Sequence, residues 1–270
     1  MKDIDKSIEE IKSNGYTILK KYLNEEHVAL CEAKVNNLYE EISKDNLYSK
    51  KAAPKGLQNT IKDDFIVNSL VHYDKFFVDL STTGDHLKIL GHFLNDPFYG
   101  LVDSEEPNFI LAQMNARAGM TALPFHIDTR LVTPGYQTWS MQGLLALEKL
   151  DKTNGCLRLI PKTHVVDFFP DSKKDYSEAI DIELEKGDLI IFSSKLHHAT
   201  HKNELRQLAW TILLTYRSWW CKPQFDFLKL VPKEIYSNLN NNQKLMLGAC
   251  SQPSHSIDGS ASARSGYEIL

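Results

Sequence analysis

Between about residues 97 and 220 the chain breaks into short apolar runs closed by turn-forming residues. They read NFILAQMNARAG, TWSMQGLLALEKL, CLRLIP, IDIEL, DLIIFSS and RQLAWTILLTYR, with Gly, Pro, Asn and Asp between them. Runs this short, rich in β-branched and aromatic residues, are strands rather than helices. Many short strands joined by turns argue for a sandwich or a barrel. Gly187 and Asp188 form a tight turn that leads into the apolar strand LIIF.

The flanks have a different texture. In NEEHVALCEAKVNNLYEEISK, residues Val28, Cys31, Val35, Leu38 and Ile42 recur at steps of three and four, the stripe of an amphipathic helix. Asn24 suits its N-cap, and Glu25 and Glu26 suit the positive end of its dipole. Upstream, GYTILKKYL is a strand entered through Gly15. Downstream, FIVNSLVHYDKFFVDL and GDHLKILGHFL read as two more packed helices, and PKEIYSNLNNNQKLMLGAC returns to helical character. With no repeat and no linker, the expectation is one domain over 1–270: mainly helical support over 1–96, a β core over 97–220, and a helical segment with a loose tail over 221–270. The Lys-rich stretch Ser43–Thr60 is the candidate for a lid over the substrate.

Composition closes several routes. A net charge of −4 leaves no basic excess to neutralise phosphates, so nucleic acid is not expected as a partner. No apolar run approaches the roughly 18–20 residues that span a bilayer. The charged opening MKDIDKSIEEIKSNGY lacks the apolar core of a secretory signal. Cys31, Cys156, Cys221 and Cys250 are scattered and form no CxxC pair, which suits a reduced, cytoplasmic protein. Monomer and homodimer both remain open.

Chemistry enters at LPFHIDTR. On an extended segment, His126 and Asp128 would point to one face, where an imidazole and a carboxylate can share a metal. A second His-x-Asp pair, His72 and Asp74, falls in a stretch of helical periodicity, where residues i and i+2 diverge by about 200°; it reads as a surface pair. A third ligand is available from KLHHATHKN, as His197, His198 or His201, if opposite strands of a barrel bring it near. Two histidines and one carboxylate on a face of an octahedron leave positions open for a cosubstrate and oxygen on Fe(II). The plainer reading of HHATH is a polar loop whose imidazoles bond to backbone.

These segments together resemble the phytanoyl-CoA dioxygenase family of Fe(II)- and 2-oxoglutarate-dependent oxygenases. SNGYTILKKYLNEEHVALCEAKVNNL is similar to the family's opening strand and helix, and FHID to its metal-binding His-x-Asp. NGCLRLIPKTH, EKGDLIIF and HATHKNELR resemble three later segments in the family's order, with Lys162 and Thr163 replacing its Gly and Ser. The resemblance implies a mainly β fold with flanking helices, a double-stranded β-helix (the cupin-like jelly roll) with an N-terminal helical region. It implies that His126, Asp128 and His198 hold Fe(II), and that Arg206 and Thr200 bind the distal carboxylate of 2-oxoglutarate. Gln113 and Asn115 fall where the family contacts its cosubstrate. The family's arginine usually follows the distal histidine by roughly eleven residues. Arg206 follows His198 by about eight, which keeps Arg217 as the other candidate.

The activity implied is hydroxylation, or another oxidation, of a small metabolite or biosynthetic intermediate. It consumes O2 and releases succinate and CO2, with ascorbate as a possible reductant. Asp128 favours hydroxylation over halogenation, because halogenating relatives lack the carboxylate. Two alternatives stay open: a jelly-roll metalloenzyme without 2-oxoglutarate, and a non-catalytic binding jelly roll. Arg130, Tyr136, Trp139, Trp219 and Trp220 are candidates for a substrate pocket. Asn154, Gly155 and Asp188 read as turn residues, Cys156 as a core thiol and His164 as structural.

Overall fold

The computed structural model describes residues 3–44, 65–99 and 106–251. Among these the strands are, in chain order, β1 (Tyr16–Leu19), β2 (Phe65–Val67), β3 (Phe109–Ala118), β4 (Leu123–His126), β5 (Ser140–Ala146), β6 (Leu157–Leu159), β7 (Ile180–Ile182), β8 (Leu189–Ser193), β9 (His198–Thr200) and β10 (Thr211–Ser218). The helices are α1 (Ile4–Asn14), α2 (Glu25–Lys44), α3 (Lys75–Thr82), α4 (His86–Leu94), α5 (Phe227–Leu230), α6 (Lys233–Tyr236) and α7 (Asn241–Met246).

Two antiparallel sheets make a jelly roll. The major sheet runs β1-β8-β5-β10-β3-β2 and the minor sheet β4-β9-β6-β7. Helices cover one face of the major sheet, where Met114, Ala116, Met141, Leu145, Ile191, Ile212 and Leu214 pack with Val28, Val35, Phe77 and Leu90. The other face meets the minor sheet: Leu144, Ala146, Ile190 and Phe192 pack against Leu157, Leu159 and Ile182. Covered on both faces, β5 is buried at every residue. That explains why SMQGLLA reads as a nearly continuous apolar run.

Local chemistry sets the element ends. Asn24 accepts the His27 backbone N–H at 2.8 Å, capping α2, whose Val28, Cys31, Val35 and Ile42 are buried. At Gly187 the backbone adopts φ 88°, and a Cβ would lie 2.5 Å from the Leu23 carbonyl oxygen. Only glycine fits that approach. The adjoining Asp188 is buried, accepts the Lys21 and Glu185 backbone N–H groups, and pairs with Lys20. It acts as a turn residue.

The pairing of β10 with β3 shifts register between Thr215 and Tyr216. This bulge changes which face β3 presents. Before it, Phe109 and Leu111 pack towards the helices; after it, Met114, Ala116 and Ala118 do so. Gln113, Asn115 and Arg117 therefore share the inward face.

Two expectations need correction. FIVNSLVHYDKFFVDL is not one helix: its first residues form β2, which pairs with β3, and only Lys75–Thr82 is α-helical. His72 and Asp74 are not a plain surface pair either. His72 bonds to the Leu230 carbonyl, while Asp74 caps α3 through the Phe76 N–H and pairs with Lys34. The proposed lid lies, from residue 45 on, outside the described residues, as does the tail from 252. No helix among the described residues is long and apolar enough to cross a membrane.

Candidate metal centre

β4 and β9 are neighbours in the minor sheet, and His126 and His198 are direct register partners. The two imidazoles thus meet across adjacent strands rather than from opposite walls, with ring centroids 4.2 Å apart. Asp128 lies in the bend just past β4, not on the strand. Its backbone N–H donates to the Ser194 carbonyl at 2.9 Å. That bond turns the carboxylate back between the rings, Oδ1 at 3.7 Å from His126 Nε2 and Oδ2 at 3.4 Å from His198 Nε2.

Each ring is oriented by the same device. His126 Nδ1 donates to the Pro124 carbonyl at 2.8 Å, and His198 Nδ1 to the Leu196 carbonyl at 2.9 Å. A carbonyl can only accept, so the proton sits on Nδ1 and the Nε2 lone pair faces the carboxylate. Ligands about 2.1 Å from one metal at right angles lie about 3 Å apart. The two carboxylate–imidazole separations exceed that spacing by less than 1 Å. His198 is buried and packs edge-on to Phe192 at 5.1 Å. Burial pushes its pKa down despite the Asp128 charge, which favours the neutral form that binds metals. His126, Asp128 and His198 fit an Fe(II) site by donor type, tautomer and spacing.

The neighbouring histidines point elsewhere. His197 Nε2 bonds to the Phe168 carbonyl, and His201 Nε2 pairs with Asp181 at 2.6 Å. His164 is buried and bonds to the Lys12 carbonyl, a structural position. Asn154 and Gly155 form a turn, with the Asn154 side chain accepting the Asp151 N–H. Cys156 is buried in the inter-sheet core.

Two residues along β9 from His198, and on the same face, Thr200 enters the wall of a cavity of about 40 Å³ between the sheets. Arg117, Leu144, Leu157, Ala209 and Leu213 are also in that wall. Arg206 is not: it is exposed, in a left-handed turn with φ 51°. Arg217 sits near the far end of β10 and donates to the Lys222 carbonyl. Asn115 is buried and accepts the Ser69 backbone N–H, tying down the segment after β2. Gln113 shares its face, opposite Thr215.

Gln113 and Asn115 are the β3 residues that the sequence singles out, and the same alternation of polar residues continues to Arg117 in the cavity wall. A buried polar chain also lies beside the triad, outside the residues singled out from sequence. Thr215 donates to Gln142 at 2.7 Å, Gln142 to Ser194 at 3.1 Å, and Ser194 to Ser140 at 2.8 Å. Ser140 and Gln142 are the inward polar positions of an otherwise apolar strand, a signal open to inspection. Of the proposed pocket aromatics, Trp139 and Trp220 pair at 6.5 Å, and Tyr136 and Arg130 are exposed. Trp219 instead packs on Tyr99 and donates to Asp96, away from them.

The family model described as phytanoyl-CoA dioxygenase (PhyH) matches residues 11–205. No curated protein sequence matches the chain. Among solved structures, the epimerase SnoN in complex with Fe3+, alpha ketoglutarate and nogalamycin RO is similar with a TM-score of 0.58 at 12% identity, covering 85% of this chain and 90% of that one. HygX from Streptomyces hygroscopicus with nickel, 2-oxoglutarate and hygromycin B has a TM-score of 0.62 at 11% identity, covering 81% and 88%. AviO1 from Streptomyces viridochromogenes Tue57 has a TM-score of 0.54 at 15% identity, covering 80% and 95%.

Proposed function

The chain belongs to the phytanoyl-CoA dioxygenase family, and on that premise we propose that His126, Asp128 and His198 hold its Fe(II) while it hydroxylates a small molecule. It is an oxygenase-type enzyme that depends on Fe(II), 2-oxoglutarate and O2. Bound in the triad, the iron supplies oxidation of a substrate C–H bond, coupled to conversion of 2-oxoglutarate to succinate and CO2.

The protein's own part is geometric. The carbonyls of Pro124 and Leu196 fix the two imidazoles, and the Ser194 carbonyl fixes the Asp128 backbone. Phe192 and the aliphatic inter-sheet core keep the inner side of the site dry, which strengthens each charge interaction there. The substrate enters from the exposed side of His126 and Asp128. We place it against Trp139, because the next residue, Ser140, accepts the backbone N–H of Ser194, whose carbonyl in turn accepts the Asp128 N–H. The observation that carries this reading is the convergence of two Nε2 lone pairs and one carboxylate within 4.8 Å of one another.

The substrate class proposed is a metabolite or biosynthetic intermediate. SnoN is an epimerase, and its bound nogalamycin RO, like the hygromycin B of HygX, is a small molecule. The test is succinate release from 2-oxoglutarate with Fe(II) and ascorbate over a metabolite panel, followed by product mass. Hydroxylation adds one oxygen atom. A product of unchanged mass formed with succinate would replace hydroxylation by inversion at carbon. Absence of metal binding would remove the triad assignment.

A further inference from the structure

We propose that Arg117 on β3 grips the distal carboxylate of 2-oxoglutarate, the role that the sequence alone gives to Arg206 or Arg217. The proposal rests on the cosubstrate reading above and names the residue that anchors the cosubstrate's far end. Its observation is the cavity that Arg117 shares with Thr200. Thr200 lies two residues beyond His198 on β9, about 7 Å along the strand. A five-carbon keto-diacid chelated at the triad spans that distance and brings its second carboxylate to this wall.

The lining matches such a molecule in chemical type. Leu144, Leu157 and Leu213 offer aliphatic contact for the two methylenes. In the same wall the hydroxyl of Thr200 and the guanidinium of Arg117 offer hydrogen-bond donors to a carboxylate. Thr200 Oγ1 already accepts the Leu123 N–H at 3.0 Å, which orients the hydroxyl and leaves its proton to donate. Arg117 is held by its surroundings. Its main-chain carbonyl accepts from Thr211 Oγ1 at 3.1 Å, and Thr211 is its register partner on β10. Its guanidinium lies over Gly119, where a Cβ would come within 3.1 Å of Nη2. Gly119 therefore leaves the room that the guanidinium occupies.

The other two arginines do not reach this place. Arg206 projects to solvent. Arg217 is six residues from Thr211 on β10, roughly 20 Å along the strand. Ala209, about eleven residues after His198, contributes only a methyl group to the cavity. The cation there comes from β3, the neighbour of β10 in the sheet.

The test is titration of metal-loaded protein with 2-oxoglutarate, and separately with 2-oxobutanoate, which lacks the distal carboxylate, read by calorimetry. We expect the native chain to prefer 2-oxoglutarate strongly. Arg117→Met should weaken 2-oxoglutarate by at least about 30-fold and leave 2-oxobutanoate unchanged, while Arg206→Met stays within about twofold for both. Arg117→Met retaining both affinity and preference overturns the assignment alone. A native protein that binds metal but not 2-oxoglutarate overturns the cosubstrate reading itself. Should Arg117→Met not fold, the native protein carries the test through an arginine-directed dicarbonyl reagent and peptide mass mapping. Protection of Arg117 by 2-oxoglutarate but not by 2-oxobutanoate supports the proposal; modification unaffected by 2-oxoglutarate overturns it.

Discussion

The two sheets divide the labour unequally. The major sheet has longer strands, among them the ten residues of β3 and the eight of β10, and a face covered by helices. The minor sheet has four strands of three or four residues each. Yet both histidines of the triad are on the minor sheet, at facing positions of β4 and β9. Long paired strands with two covered faces supply burial and stability. Short strands that end in bends let side chains and loops leave the ladder and converge, as Asp128 does two residues past β4. The major sheet is thus a frame, and the minor sheet the place where chemistry is free to be arranged.

The sharpest way to break this contrast is to remove one ligand from each side of it. His126→Ala removes a half-exposed ring from the end of β4. It should lower turnover at least about a thousandfold, equivalent to about 4 kcal/mol, while the melting temperature of metal-free protein stays put. Phe109→Ala, on β3, empties a fully buried site against the helices and Tyr216. It should cost about 3–5 kcal/mol in stability, yet the molecules that remain folded should bind metal with unchanged affinity. Denaturant melts and metal titrations on both variants check the pair. A large loss of stability from His126→Ala, or of metal affinity per folded molecule from Phe109→Ala, would erase the division.

A pH titration sharpens the same contrast on the frame side. His86 is buried under the major sheet between two tyrosines. Tyr216 donates to the Ser81 carbonyl at 2.8 Å, so its oxygen accepts from His86 Nε2–H, and His86 Nδ1 accepts from Tyr22. This pattern needs a neutral ring, and burial pushes the His86 pKa down from 6.5 to about 4. The unfolded chain takes up the proton first as pH falls. Stability should therefore be full above pH 6.5 and decline between 6.5 and 4, by about 3 kcal/mol in all. Chemical melts across that range should show the slope in the native protein and a flatter profile in His86→Gln.

The frame was more legible in the sequence than the site. Alternation and turn residues mark β3, β5, β8 and β10, and the Gly187–Asp188 turn needs no tertiary knowledge. β2 was not legible, because three apolar residues beside a helical pattern carry no period of their own; pairing with β3 makes them a strand. Within the site, residue type pointed to His126 and Asp128, whereas the choice of His198 over His197 and His201 came from resemblance. In the structure that choice follows from register: position 198 faces 126, position 197 turns away towards Phe168, and 201 is taken by Asp181. Arg117 was illegible for a different reason. The bulge in β3 sets the phase that points it inward, and its cavity joins strands about eighty residues apart, which no spacing within one segment records.

The smallest expected effect concerns how the loop after Asp128 is held on the minor-sheet side. Lys195, three residues before His198, is buried, and its ammonium donates to the carbonyls of Thr133 and Gly135 at 2.7 Å and of Gln137 at 3.0 Å. Three protons meet three carbonyls, so one side chain fixes the loop from Asp128 to Trp139 onto the turn that leads into β9 and His198. Lys195→Met keeps the aliphatic stem and removes the donors, exposing the carbonyls at a local cost of about 2 kcal/mol. Because β4 and β9 hold their own register, the triad should keep its metal affinity while the loop loosens. Proteolysis between residues 131 and 138 should speed up, and KM for the substrate should rise more than kcat falls. If metal affinity fell as far as KM rose, the loop and the triad would be one unit, and the minor sheet would owe its geometry to this clasp rather than to the pairing of His126 with His198.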